Sequence, residues 1–188
     1  YCFGLTYDLF RLESSRHAER RSVSAAEMTY NADGTIKELP YFQDCKLEQI
    51  GTFNPYRRVE AETMAWGYGL KTTRENPSGP WNETLFVTDI DDGEYILVRG
   101  IDFGKKGALK FHASCSSQLY GGRMEIRLDA VDGSLAGAID IPNTKFKYRE
   151  FITDVTQCNG VRDVYFVFKS TSIQKKNLFN FDWWKFDK

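Results

Sequence analysis

Short apolar segments alternate with turn residues along the chain from residue 57 onward, and no helical repeat of useful length interrupts them. Apolar and polar residues alternate in segments such as 58–62, which is typical of a strand with one buried face. The run Val-Tyr-Phe-Val-Phe at 164–168 is apolar throughout and predicts a central strand covered on both faces. The predicted strands are 58–62, 94–99, 108–114, 123–129, 134–141, 148–155, 161–168 and 178–186. This pattern predicts an all-β fold, an antiparallel β-sandwich of jelly-roll type.

Turn residues predict which of these segments pair. Gly121 and Gly122 separate the segments 108–114 and 123–129, and we expect them to form a hairpin connection. Near the start of the chain, Asn-Ala-Asp-Gly at 31–34 predicts a turn between two short strands.

The first 56 residues differ in character from the rest. They contain few large apolar residues and could hardly bury a core alone. The charged segment 11–21 predicts a short polar helix, and Asn54-Pro55-Tyr56 marks a junction, since proline breaks local pairing. We therefore predict a short N-terminal extension, residues 1–56, followed by a sandwich domain, residues 57–188.

Composition excludes several classes of partner. Lys and Arg number 25 against 26 Asp and Glu, so the chain lacks the basic excess of a nucleic-acid-binding protein. No apolar stretch approaches the about 18–20 residues that span a bilayer, so we expect no membrane insertion. Four cysteines without C-x-x-C spacing and two histidines make a zinc site improbable. Cys115 and Cys158 could form a disulfide or remain buried thiols, and the sequence leaves both open.

Two groups of residues could carry chemistry. Glu60 and Glu62 stand at i and i+2, so a strand would project both carboxylates to one face, an arrangement that suits Ca²⁺. The alternative, a solvated strand face, is favoured on this local pattern alone. His112 lies inside a strand pattern, and a structural histidine is a better interpretation than a catalytic one.

The second group is aromatic. Phe, Tyr and Trp make 15% of the chain, with a concentration at 179–186 and further tryptophans at Trp66 and Trp81. Aromatic rings stack on the C–H face of a pyranose, and Asn180 offers a hydrogen-bond donor and an acceptor to hydroxyls. The alternative is that alternate aromatics are core, and for several of them it must hold.

These residues belong to a longer set of matching stretches. They are Val59–Glu62, Val98–Gly104, Gly122–Asp129, Ile141–Thr144, Asp163–Phe168 and Leu178–Trp184. In this order and at compatible spacing, residues 57–188 resemble a family 6 carbohydrate-binding module. Residues 21–57 look like the end of a family 43 glycoside hydrolase catalytic domain and its linker, while residues 1–20 match that pattern poorly.

The resemblance implies a jelly roll with a structural Ca²⁺ and a sugar cleft among the loops. By position, Glu60, Glu62 and Asp182 would be the calcium ligands. Asn180 would lie in the sugar cleft, with Tyr148 as its stacking ring. The family's opposing aromatic usually lies at the position that Asp89 occupies here, and Trp66, Tyr68 or Trp81 could substitute for it.

The function implied is a secreted, non-catalytic module that binds xylan or arabinoxylan of the plant cell wall and targets an appended glycoside hydrolase catalytic domain. Two rivals remain at this point. The first is a structural module without a working sugar site that packs against a family 43 domain. The second is a fragment of a hemicellulose-degrading glycosidase. The resemblance implies that a family 43 catalytic domain is a β-propeller, and residues 1–56 are too short to supply the carboxylates of its active site.

Overall fold

The computed structural model describes residues 1–6, 22–39, 41, 47, 51–74, 85–118 and 120–188. They belong to two compact units, Tyr1–Ile50 and Gly51–Lys188. The described residues contain strands and no helix, and hence no helix long and apolar enough to cross a membrane. The helix predicted at 11–21 lies outside the described residues.

The first unit contains one antiparallel pair, β1 (Cys2–Thr6) and β2 (Ser22–Ala26). A second, shorter contact is a bridge between Tyr30 and Ile36. The turn predicted at 31–34 lies between these two residues and is confirmed, because Gly34 N donates to Asn31 O at 3.0 Å.

The second unit is a two-layered antiparallel sandwich, as predicted. One sheet has the order β10 (Ser134–Ile141), β9 (Gly122–Leu128), β12 (Val161–Lys169), β7 (Tyr95–Asp102) and β4 (Trp66–Tyr68). The other has the order β11 (Arg149–Asp154), β8 (Lys110–Ser116), β13 (Asn180–Asp187), β6 (Leu85–Thr88) and β5 (Lys71–Arg74), and β3 (Val59–Glu60) also pairs with β13. The strand predicted to be central, β12, is in the middle of its sheet.

The core between the sheets is aromatic. Strand β13 turns Phe181, Trp184 and Phe186 inward, and all three are fully buried. The Phe166 ring on the facing sheet lies 5.3 Å from the Trp184 ring and 5.2 Å from that of Phe111. Each such side chain contributes roughly 1.5–3 kcal/mol of apolar burial. For these members of the 179–186 cluster, the core interpretation is therefore correct.

The hairpin predicted at Gly121-Gly122 is wrong. Strand β8 lies in one sheet and β9 in the other, so the connection crosses from layer to layer instead of joining paired strands. Glycine is needed there for another reason: Gly121 has φ +68°, and a Cβ would lie 1.7 Å from the backbone oxygen of Ile141.

The sequence leaves open the roles of two cysteines and one histidine. All three are buried, and their roles are structural. Cys115 and Cys158 are free thiols, and burial raises the pKa of Cys158 to about 11. His112 Nδ1 lies 2.7 Å from Glu150 on β11, and its Nε2 lies 2.9 Å from Asp187 on β13. The imidazole is therefore hydrogen-bonded to β11 through Nδ1, while Nε2 lies close to the Asp187 carboxylate without a hydrogen bond, and the histidine has a structural role as expected.

We predict that Gly121→Ala destabilises the sandwich far more than Gly160→Ala. Both glycines are left-handed, but at Gly160, with φ +64°, an added Cβ would have no other atom within 4 Å. The control therefore suffers only the left-handed penalty of about 1–2 kcal/mol, while Gly121→Ala adds overlap with backbone, a further loss of about 1–3 kcal/mol. Urea unfolding of both variants measures the difference, and equal losses would contradict the close approach.

Candidate functional site

A polar cleft of about 330 Å³ lies where three strands of the second sheet end together. The last residue of β8, Ser116, is paired with the first of β13, Asn180, and the last of β6, Thr88, bonds to Asn180. The cleft is lined by Thr88, Asp89, Ser116, Ser117, Gln118, Phe146, Asn177, Phe179 and Asn180. Antiparallel pairing thus gathers residues that are distant in sequence at one edge of the sandwich.

Asn180 forms the floor of the cleft with a fixed amide. Thr88 Oγ1 donates to Asn180 Oδ1 at 2.8 Å, which holds the carboxamide in one orientation. The oxygen is engaged, so the two N–H groups of Nδ2 are the part of the side chain that is available to a ligand.

Phe146 and Asp89 stand on opposite sides of this floor. In the sheet order, β11 and β6 flank the central pair of β8 and β13. Phe146 lies in the connection that leads into β11, and Asp89 directly follows β6. The cleft therefore has an aromatic wall and an acidic wall.

The aromatic wall is held in place by its own loop. The buried Thr144 accepts a hydrogen bond from Ser117 N at 2.8 Å, and Phe146 N donates to Ser117 O at 3.1 Å. Phe146 has φ 61° and is 64% exposed. A large ring in a left-handed conformation with most of its surface in solvent is a common feature of binding sites, since strain and exposure both oppose stability.

The acidic wall is also ordered by hydrogen bonds. Lys71 Nζ lies 2.8 Å from Asp89 Oδ2. Asp91 N donates to Glu94 Oε2 at 2.8 Å, and Asp91 Oδ1 accepts from the backbone N–H of Asn177 at 2.9 Å. These contacts bring Asn177, which follows a long loop, into the cleft lining.

A second polar cluster lies on the outer face of the same sheet, where β3 meets β13. Glu60 is paired with Trp183, and the register shifts between Phe181 and Trp183, so Asp182 sits in a bulge. Asp182 O accepts from Ala61 N at 2.8 Å. Pairing and bulge together bring Glu60, Glu62 and Asp182 to one place.

Glu62 is the unsatisfied member of this cluster. Its Oε2 is buried and has no hydrogen-bond partner among the described residues. Burial, reinforced by the nearby carboxylates of Glu60 and Asp182, raises the pKa of Glu62. A buried carboxylate oxygen among other carboxylates fits the donor set of a hard cation such as Ca²⁺.

Arg58 supplies the positive charge of this cluster. Its guanidinium binds both oxygens of Glu60, at 2.9 and 3.0 Å, and lies 3.7 Å from Asp182 Oδ1. As the side chains stand, no group of three or more His, Cys, Asp or Glu in the described part of the chain is arranged to hold a metal ion. The ligand roles of Glu60, Glu62 and Asp182 therefore stay a prediction.

Comparison with known proteins identifies the sandwich. The model of one family, the carbohydrate binding module (family 6), matches residues 60–188. The chain belongs to this family. The predicted resemblance is confirmed.

Longer relatives match as well. The arabinoxylan arabinofuranohydrolase of Bacillus subtilis (strain 168) is 43% identical over 169 residues, which is 88% of this chain and 32% of that protein. A crystal structure of a glycoside hydrolase family 43 arabinoxylan arabinofuranohydrolase from Bacillus subtilis, in complex with cellotetraose, matches 89% of this chain and 34% of its own at 42% identity and a TM-score of 0.79. The chain thus spans about a third of the length of these relatives.

An isolated module matches the sandwich alone. The family 6 carbohydrate-binding module from Clostridium cellulolyticum, in complex with xylose, is 30% identical and covers 72% of this chain and 100% of its own, with a TM-score of 0.64.

Of the three predicted sugar-site residues that the structure describes, the carbohydrate-binding module brings only Asn180 to the cleft. Tyr148 is not among the lining residues: its hydroxyl oxygen is buried, and its ring contacts Phe86 edge-on at 5.9 Å. Trp66 lies on β4, at the edge of the other sheet, and Trp81 lies outside the described residues.

Phe146 is the aromatic residue among the lining residues that sequence reasoning missed, which also include Thr88, Ser116, Ser117, Gln118 and Asn177. The resemblance assigned the stacking ring to Tyr148, whereas the ring that lines the cleft is Phe146, two residues earlier. What distinguishes them is the left-handed backbone at Lys145 and Phe146, with φ 55° and 61°. Neither residue type favours that conformation, so no sequence signal identifies it.

We predict that Glu94→Gln stabilises the module at neutral pH but not in acid. Burial first, and then the charges of Asp91 and Asp89, raise the pKa of Glu94 above its usual 4.5. The native state therefore binds this proton more tightly than the unfolded state does, so wild-type stability falls as pH rises through the folded pKa. Glutamine keeps an oxygen for Asp91 N without this loss.

Thermal unfolding between pH 4 and 7.5 tests this. The melting temperature of the variant should exceed that of wild type at pH 7.5, and the difference between the two should shrink towards pH 4. A gap that is constant across this range would contradict the raised pKa.

Proposed function

We propose that this chain is a non-catalytic module that binds xylan or arabinoxylan through the cleft at Asn180. The observation that carries the proposal is one exposed ring, Phe146, that lines the same cleft as the Asn180 amide, whose oxygen is already bound by Thr88. The xylose complex of the Clostridium cellulolyticum module and the names of the longer relatives support the choice of polysaccharide.

The chemistry of the cleft suits an uncharged sugar chain. The Phe146 ring stacks against the C–H face of a sugar ring, and Asn180 Nδ2 donates to a hydroxyl or ring oxygen at the same time. Ser116, Ser117 and Gln118 add further polar partners. The loop and the amide are already held by hydrogen bonds, so little ordering entropy is lost on binding.

The module would serve a glycoside hydrolase that belongs to the same protein. Tethering a weak sugar site to a catalytic domain raises the local concentration of substrate without any chemistry by the module itself. Plant cell-wall polysaccharide lies outside cells, so we expect a secreted protein. A family 43 catalytic domain acting on arabinoxylan is the partner that the longer relatives favour.

The glycosidase-fragment alternative makes a different prediction. It requires hydrolysis by the chain itself, whereas we expect none with a chromogenic arabinofuranoside. Turnover that survives purification and is lost on substitution of an acid within residues 1–56 would favour the fragment.

We predict that Phe146→Ala and Asn180→Ala each abolish retardation of the module in arabinoxylan-containing gels. Each loses on the order of 1–3 kcal/mol, the ring through lost stacking and the amide through unpaired hydroxyls. Because each 1.4 kcal/mol is about tenfold, a modest affinity then drops below detection. The melting temperature of Phe146→Ala should change little because this ring is exposed, whereas Asn180→Ala also loses the hydrogen bond from Thr88, about 1 kcal/mol of stability.

Tyr148→Ala is the variant that separates the two candidate rings. It should retain retardation if Phe146 stacks, and it should lose retardation if Tyr148 does, provided that its melting curve shows a folded protein. Wild type that migrates identically with and without xylan would favour the structural module. If wild type and all variants are retarded to the same extent, the sugar site lies elsewhere, and the exposed face around Trp66 is the first candidate.

We also propose that Glu60, Glu62 and Asp182 hold a structural Ca²⁺. The buried, unpaired Oε2 of Glu62 supports this assignment, because a cation would satisfy it and offset the repulsion among three carboxylates. The ion would supply a bridge between β3 and β13. Arg58 neutralises part of the charge of the same cluster.

We predict that excess EDTA lowers the melting temperature of wild type by a few degrees and that added Ca²⁺ restores it, since an ion bound only by the native state stabilises it. Glu62→Gln should lose this response, while Asp132→Asn, in the exposed β9–β10 turn, should keep it. An EDTA melting curve that superimposes on the calcium curve for wild type would contradict the metal assignment.

A further inference from the structure

The wall opposite Phe146 carries the charge of the cleft. Among the nine lining residues, Asp89 alone has a formal charge, and the remainder are amides, hydroxyls and two phenylalanines. No lysine or arginine is among them. Among the described residues, a ligand in this cleft therefore meets one lining carboxylate and no lining cation.

Asp89 is held as an acceptor. It adopts a left-handed backbone with φ 54°, its Oδ2 is 2.8 Å from Lys71 Nζ, and its side chain is 46% exposed. In the part of the chain that the structure describes, Oδ1 has no hydrogen-bond donor. The ion pair fixes the orientation of the carboxylate and leaves one oxygen for a ligand.

The surroundings of Asp89 are acidic on its own wall. Asp91, Asp92 and Glu94 lie in the turn that follows Asp89, and the cations paired with this wall are Lys71, on Asp89, and Lys175, on Asp92. Lys145 and Lys147 flank Phe146 on the other wall, but neither lines the cleft. On the wall of Asp89, the carboxylates of Asp89, Asp91, Asp92 and Glu94 therefore outnumber the two lysines paired with them.

We propose that Asp89 is a specificity-determining residue that selects neutral sugar chains over chains carrying uronic acids. This inference rests on the proposed sugar-binding function. The carboxylate accepts hydrogen bonds from sugar hydroxyls on the face that Phe146 does not cover, and charge-assisted bonds of this kind are about twice as strong as neutral ones. A uronate in the same place brings two carboxylates together, a repulsion that salt screens.

The test compares two forms of one polymer. Native glucuronoxylan and the same glucuronoxylan with its carboxyl groups reduced differ only at the uronic acid units, where a charged carboxylate is replaced by a neutral primary alcohol. Binding of both, and of neutral arabinoxylan, is measured for wild type, Asp89→Asn and the control Asp132→Asn by affinity electrophoresis at low and high NaCl.

Wild type and Asp132→Asn should bind the reduced polymer more tightly than the native one, and high salt should narrow the gap. Asp89→Asn should bind arabinoxylan about fivefold to tenfold more weakly, since it replaces a charged acceptor by a neutral one. It should also lose most of the preference for the reduced polymer.

Other outcomes overturn the inference in distinguishable ways. If wild type binds arabinoxylan but shows the same preference as Asp89→Asn, Asp89 does not select. If wild type binds native glucuronoxylan more tightly and Lys71→Gln removes that gain, the lysine recruits uronates and the assignment to Asp89 is wrong. If wild type binds none of the three polymers, the proposed function itself fails.

Discussion

The antiparallel pairing of β13 with β8 is the contact on which both candidate sites depend. Inward-facing aromatics of β13 fill the core, which fixes the strand against the opposite sheet. Because the inward face of β13 packs in the core, the first residue of the strand, Asn180, lies beside the end of β8, and Asp182 in the bulge lies on the outer face of the sheet. One strand therefore supplies the floor of the cleft, the centre of the core and a member of the acidic cluster.

The residues that stabilise the fold are separate from the residues that form the walls of the cleft. Burial of Phe181, Trp184 and Phe186 stabilises the sandwich through contacts that do not involve the cleft. Phe146 and Asp89, in contrast, lie on loops at the edge, where exposure is high and packing contributes little. Substitutions at the walls should change what is bound, and substitutions facing the core should change whether the module folds.

Sequence reasoning succeeded where short-range pattern decides the outcome. Sequence pattern identified the strands from β7 to β13, and the family resemblance placed Glu60 and Glu62 near Asp182 of β13. The strand expected to carry both glutamates is shorter than predicted, since β3 ends at Glu60 and Glu62 lies in the turn after it. Sequence reasoning failed at Gly121-Gly122, because the glycine signal is the same for a hairpin and for a crossing between layers, and only packing of distant strands separates them. It also missed Phe146, because a left-handed phenylalanine has no local signature.

The central claim is that a xylan-type chain binds at the edge formed by Ser116, Asn180 and the two loops beside them. Backbone and side-chain chemical-shift changes of the isotope-labelled chain on titration with an arabinoxylo-oligosaccharide test this directly. The account predicts that the largest changes fall on Asn180, Phe146, Asp89 and Ser117. Changes concentrated on the opposite sheet, around Tyr68 and Tyr95, or no changes at saturating sugar, would contradict it.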